Sequence, residues 1–68
     1  MDKKNMRIAK MFASLINQYD KDGYHITFLS ALEGVDIKND KHNARVFMTD
    51  NGIMEVWDGT RERFIEVK

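Results

Sequence analysis

ARVFMTDNGIMEVW, residues 44–57, holds two runs of strand-forming side chains that meet at Asn51-Gly52. Asparagine followed by glycine between alternating apolar residues is the strongest short-range signal for a β-hairpin, because both residues tolerate the positive φ of a type I′ turn. A two-residue turn centred there pairs Asp50 with Ile53, Thr49 with Met54, Met48 with Glu55, Phe47 with Val56, Val46 with Trp57 and Arg45 with Asp58. Side chains alternate along a strand, so one face of the ribbon carries Phe47, Met54 and Val56, with Thr49 and an Arg45–Asp58 ion pair at its margins. The other carries Val46, Met48, Ile53 and Trp57, with Asp50 and Glu55. Both faces are largely apolar, whereas a sheet wet on one side shows clean alternation. The ribbon is therefore either covered twice or leaves one face for another molecule.

Working outward, residues 3–19 repeat apolar side chains at helical spacing: Ile8, Met11, Phe12, Leu15, Ile16 and Tyr19 fall on one side. Asp2 is placed to cap the first turn. The opposite stripe holds Lys3, Arg7, Lys10, Ser14 and Asn17, and its cations sit at the positive end of the helix dipole, where each costs about 0.3–1 kcal/mol. That stripe reads as a solvated face or as an anion-contacting one. Gly23 ends the helix. Asp20-Lys21-Asp22-Gly23 resembles the start of a calcium loop, but the later ligands and the closing glutamate are missing. Tyr24–Leu29 alternates as a strand, Ser30–Glu33 suits either a strand or one helical turn, and Val35–Ile37 reads as a second short strand after a bend at Gly34. Lys38–Asn43 is a polar hairpin loop. After Asp58-Gly59-Thr60, residues 63–68 form a terminal strand whose register depends on loop length: four residues set Val56 against Arg63, and three set Glu55 against Arg63. The order predicts a single α+β domain, residues 1–68, with the helix on one face of a mostly antiparallel meander of three to five strands.

The chain of 68 residues carries 11 basic and 11 acidic side chains, so its neutral balance gives no general attraction to nucleic acid. The distribution is uneven, with bases leading through residue 19 and acids from 20 to 58. A domain of this size buries only about 60% of the surface its unfolded chain exposes, and with no cysteine it has no disulfide or thiolate metal site to reinforce a thin core. No segment is apolar enough to span a bilayer and no signal-peptide pattern opens the chain, so the expectation is a soluble cytoplasmic protein.

Motifs for catalysis are missing: no glycine-rich phosphate loop, paired-histidine motif or GxSxG occurs. His25 and His42 are spaced without any pattern that forces convergence on a metal, and a His25, Ser30 and Asp36 triad would lack an enclosing pocket. The expectation is a protein that is not an enzyme, with no catalytic, metal or cofactor site. If the helix covers the Phe47 face, then Val46, Met48, Ile53 and Trp57 anchor a protein partner or a second copy, with Asp50, Glu55 and Asp58 as an acidic rim steering toward a basic surface. The alternative is nucleic-acid binding, with Lys3, Arg7 and Lys10 on phosphates, Arg61 and Arg63 assisting, and Trp57 or Phe47 stacking on bases. Neither reading involves a membrane.

Overall fold

In the computed structural model, which describes residues 3–67, a single helix, α1 (Lys3–Lys21), precedes five strands. These are β1 (His25–Phe28), β2 (Val35–Lys38), β3 (Asn43–Met48), β4 (Gly52–Trp57) and β5 (Arg61–Glu66). They form one antiparallel sheet in the order β1-β2-β3-β4-β5, so every neighbour in space is a neighbour in sequence, as an α+β meander requires. Asp2, read as the helix cap, lies outside the described residues.

The end of α1 shows how local chemistry sets direction. Gly23 takes a φ of 90°, Tyr24 N–H donates to the Tyr19 carbonyl (3.1 Å) and Gly23 N–H to that of Asp20 (3.1 Å). This is a Schellman cap, and its usual apolar clasp is an edge-to-face contact between Tyr19 and Tyr24, centroids 5.9 Å apart. The cap turns the chain back so that β1 starts beneath the helix. Residues 29–34 resolve the ambiguity of that segment. Phe28 ends the strand, and Gly34 N–H then donates to the Ser30 carbonyl (2.8 Å), closing one helical turn in which Ser30 Oγ accepts from Glu33 N–H (3.0 Å). Gly34 is required twice over. Its φ is 86°, and a Cβ there would fall on the Val46 carbonyl oxygen and press on Phe47.

The central hairpin differs from its expected register by two residues. Met48 pairs with Ile53, Phe47 with Met54, Val46 with Glu55, Arg45 with Val56 and Ala44 with Trp57. Thr49 is the reason. Its N–H donates to the Gly52 carbonyl (2.7 Å), while its hydroxyl accepts from Asn51 N–H (3.2 Å) and Gly52 N–H (3.1 Å), which makes Asp50-Asn51 the turn. Gly52 already belongs to β4, packed so closely on β5 that a Cβ would meet the Ile65 carbonyl oxygen. An even slip keeps each residue on its face, so the two predicted face sets survive while their cross-strand partners change. The expected Arg45–Asp58 pair does not form; Arg45 Nε lies 3.3 Å from Asp36 Oδ1 instead. At the last hairpin the three-residue loop is the one observed, with Glu55 opposite Arg63 and Ile65 opposite Ile53.

Cover is the second correction. The helix lies on the Val46, Ile53 and Trp57 face, where Val35, Ile37, Ala44, Val46 and Ile53 join Ile8, Ile16 and Tyr19 in the core. Met11, Phe12, Leu15, Tyr24, Ile26, Trp57, Ile65 and Val67 pack around its margin. Compact aliphatic side chains from the strands thus meet the helix, and the Phe47 face turns away from it.

Candidate functional site

On the uncovered side, the registers of β3, β4 and β5 set Phe47, Met54 and Phe64 in one transverse row. The next row runs Thr27, Asp36, Arg45, Val56 and Glu62 across all five strands. Among the described residues no helix or strand lies over these rows. Phe47, Met54 and Val56 are half-buried by one another and Phe64 is 42% exposed. The row is apolar at its centre, Asp36 and Arg45 neutralise each other at 3.3 Å, and Glu62 and Glu66 leave the β5 side acidic. The face thus carries an apolar strip with one acidic flank, and beside it Asp36, Asn43, Arg45, Val56 and Gly59 line a shallow depression of about 300 Å³.

The residues predicted to anchor a partner divide. Val46 and Ile53 are 0% exposed beneath α1 and are core residues. Trp57 is half-buried, held edge-to-face by Tyr19 (6.0 Å) and Tyr24 (5.8 Å), contacts of the kind that contribute about 0.5–1.5 kcal/mol each beyond area. Met48 alone of the four is exposed. The predicted acidic rim also breaks up: Asp50 is exposed on the hairpin turn, Asp58 is tied into a loop clasp and Glu55 is inside.

Glu55 lies on the covered face between Val46 and Arg63, fully buried. Arg63 Nε stands 3.2 Å from Oε1 without hydrogen-bond alignment, and neither carboxylate oxygen has a hydrogen-bond partner among the described residues. Burial raises its pKa above the ordinary 4.5, and the Arg63 guanidinium offsets part of that rise. Asp58 behaves oppositely. Asn43 N–H donates to Oδ1 (3.1 Å), while His42 Nδ1 (3.2 Å) and Arg61 (3.0 Å) meet Oδ2. The Asn43 hydrogen bond, then that of His42, hold its pKa below the ordinary carboxylate value. Asp58 also takes a φ of 51° at the turn, and so joins the β2–β3 and β4–β5 loops at one end of the sheet.

Of the residues assigned to nucleic acid, Arg61 and Arg63 come together with Trp57 and His42 around one shallow cleft of about 290 Å³. Both arginines are engaged with carboxylates there. Lys3, Arg7 and Lys10 line a separate depression with Met6 on the helix and do not join that cleft. Phe47 lies on the opposite face of the sheet from Trp57. Ser30 Oγ is engaged by Glu33 within its own turn, so the His25, Ser30 and Asp36 set is not assembled as a triad. Among the described residues no group of three metal-ligating side chains converges, and no helix is long and apolar enough to cross a membrane. Comparison with protein families, curated proteins and solved structures finds no match to this chain.

Sequence reasoning missed the Phe47–Met54–Phe64 row because it assigned the helix to that side. The missed signal is Val35-Asp36-Ile37-Lys38, a cleanly alternating strand paired directly with the hairpin. Its two aliphatics must be buried, and its pairing with β3 puts them beside Val46 and Ala44, which identifies the covered face.

Proposed function

We propose that this chain is a non-enzymatic interaction module whose uncovered sheet face docks a partner protein. The observation that carries the reading is the row Phe47, Met54 and Phe64, an apolar strip across three strands on the side opposite the helix. Its partner has an apolar centre and basic groups facing Glu62 and Glu66, because a charged rim sets orientation and encounter rate while the apolar strip supplies the burial. The test is a photo-crosslinking side chain placed at Phe64 and, separately, at Asn17 on the exposed side of the helix. One discrete protein adduct from position 64, lost when Glu62 and Glu66 are both changed to lysine, is expected. Equal adducts from the two positions, or none from position 64, would overturn it.

A second reading is favoured by a specific feature, the gathering of Trp57, Arg61, Arg63 and His42 around one cleft: an aromatic side chain flanked by guanidinium groups stacks on single-stranded bases and contacts phosphates. It requires a labelled oligonucleotide to bind at low salt with an affinity that falls steeply as salt rises. The internal pairing of both arginines makes it the weaker reading, since binding must first release them from Glu55 and Asp58.

A further inference from the structure

The two edges of the sheet are chemically unlike, and the difference points to a second copy of the chain. At β1, Leu29 N–H donates to the Gly34 carbonyl (2.9 Å), which continues the β1–β2 ladder one residue past Phe28. Hydrogen-bonded pairs alternate along an antiparallel ladder, so Thr27 also faces β2, and the N–H and C=O groups of Ile26 and Phe28 point off the sheet. The side chains on this edge are His25, Ile26, Thr27, Phe28 and Leu29, with no carboxylate, lysine or arginine among them. Phe28 is 73% exposed on the helix side of the sheet, not covered by α1, and Leu29 and the α1 residue Phe12 line a shallow apolar groove with it. Ile26, by contrast, packs against the core.

At β5 the Val67 N–H bond to the Asn51 carbonyl fixes the same alternation, so Glu62, Phe64 and Glu66 point their backbone groups outward. An antiparallel copy centred on Arg63 would set Arg63 against the partner's Arg63. Centred on Phe64, it would set Glu62 against the partner's Glu66. Like charges directly opposite destabilise a pair of strands, and charged side chains are a common means of protecting an edge.

We propose that the protein forms a homodimer by antiparallel pairing of β1 with β1 of a second copy, with Thr27 on the two-fold axis. This register is centred on the 25–29 ladder and places Ile26 opposite the partner's Phe28, and Phe28 opposite the partner's Ile26. Both pairs use the outward backbone groups reciprocally, and a β-branched residue facing an aromatic one is a favourable cross-strand pair. The helix lies over the Ile26 end of β1 and leaves the Phe28 end bare, so the two-fold sets the covered end of each copy against the bare end of the other. Both helices then lie on one side of a continuous sheet, and both Phe47–Met54–Phe64 rows face the same way on the other. The pairing does not depend on what those rows bind.

The chain has no cysteine, so a single introduced thiol reports on this geometry. Thr27 across the axis forms a non-hydrogen-bonded pair, whose Cα atoms lie about 4.5 Å apart, within the span of about 4.4–6.8 Å that a disulfide needs. Wild type is expected to sediment at twice the chain mass. Thr27→Cys is expected to convert to a disulfide-linked dimer on mild oxidation, while Glu62→Cys on β5 stays monomeric under denaturing, non-reducing conditions. Thr27→Lys sets a cation against its own copy at an exposed site, and is expected to sediment as a monomer with unchanged circular dichroism. A wild type that remains monomeric at the highest soluble concentration, a dimer that survives Thr27→Lys, or cross-linking at position 62 in place of 27 would each overturn the proposal. A folded Thr27→Lys monomer that keeps the crosslink from position 64 leaves the docking face standing on its own.

Discussion

The two faces of the β3–β4 ribbon are nearly equal in apolar content and opposite in fate. The covered face is assembled from Val35, Ile37, Ala44, Val46 and Ile53, compact side chains that let α1 approach closely, and it also hides a carboxylate. The uncovered face carries the bulkier Phe47, Met54 and Phe64 beside a neutralised Asp36–Arg45 pair. The covered face gives α1 an aliphatic floor with the Trp57 indole at its margin, whereas no helix or strand among the described residues lies over Phe47, Met54 and Phe64.

The sharpest contrast comes from truncation on each side. Ile53→Ala removes a side chain with no exposure and is expected to cost about 2–5 kcal/mol, read by chemical denaturation. In a domain this small that is a large share of the total, and partial unfolding at room temperature is the expected outcome. Trp57→Ala belongs with it at about 3 kcal/mol, because the indole anchors both tyrosines. A Trp57 variant that melts as wild type would place the indole outside the core.

Glu55 tests the same contrast with the opposite sign. Replacing a buried, poorly hydrogen-bonded carboxylate by a side chain of similar volume removes its desolvation cost, so Glu55→Met is expected to stabilise by about 1–4 kcal/mol at neutral pH, with Arg63 at the solvent-exposed end of the pair bringing the gain toward the lower figure. Its pH dependence follows from the raised pKa. As pH climbs past 4.5 the unfolded chain loses this proton before the folded one does, so the Glu55 contribution to stability falls until the raised value is passed and is level above it. Asp58 runs the other way. Its lowered pKa gives stability that is present above 3.8 and is lost as pH falls through the lower, folded value. Melting curves of wild type and Glu55→Met across the acidic range should converge toward low pH. Parallel curves would mean that the carboxylate is not carrying this linkage.

The smallest effect is expected where function is proposed. Phe64→Thr trades an exposed aromatic for another good strand former and should change stability by about 0.5 kcal/mol or less. The docking proposed for this face should nevertheless be lost. A cost comparable to that of Ile53→Ala would show that the row is a second core and not a contact surface.

Particular residues explain what could be read in advance. The helix, a meander of three to five strands and the composition of each ribbon face follow from periodicity, and periodicity is insensitive to a slip of two. Asn51-Gly52 fits a type I′ hairpin so well that the local motif places the turn one residue late, yet Gly52 is a glycine because β5 passes against it, a tertiary demand that a local motif does not contain. Glu55 reads as rim because a lone glutamate in a strand is normally wet, and its burial depends on a helix packing over that face. Sequence leaves both loop lengths before β5 open, and the opposition of Glu55 and Arg63 fits the shorter one.

A last consequence follows from the charges of β5. A sheet with two adhesive margins can add copies at both and lengthen without limit, the route by which exposed strands seed fibres. In the dimer proposed above, a β5 margin carrying Arg61, Glu62, Arg63 and Glu66 sets like charges opposite one another in the registers centred on Arg63 and on Phe64, and growth through the β1 margin would end once two chains had met. Reversing Glu62 or Glu66 to a cation would remove that stop, and filaments seen by electron microscopy would be its sign.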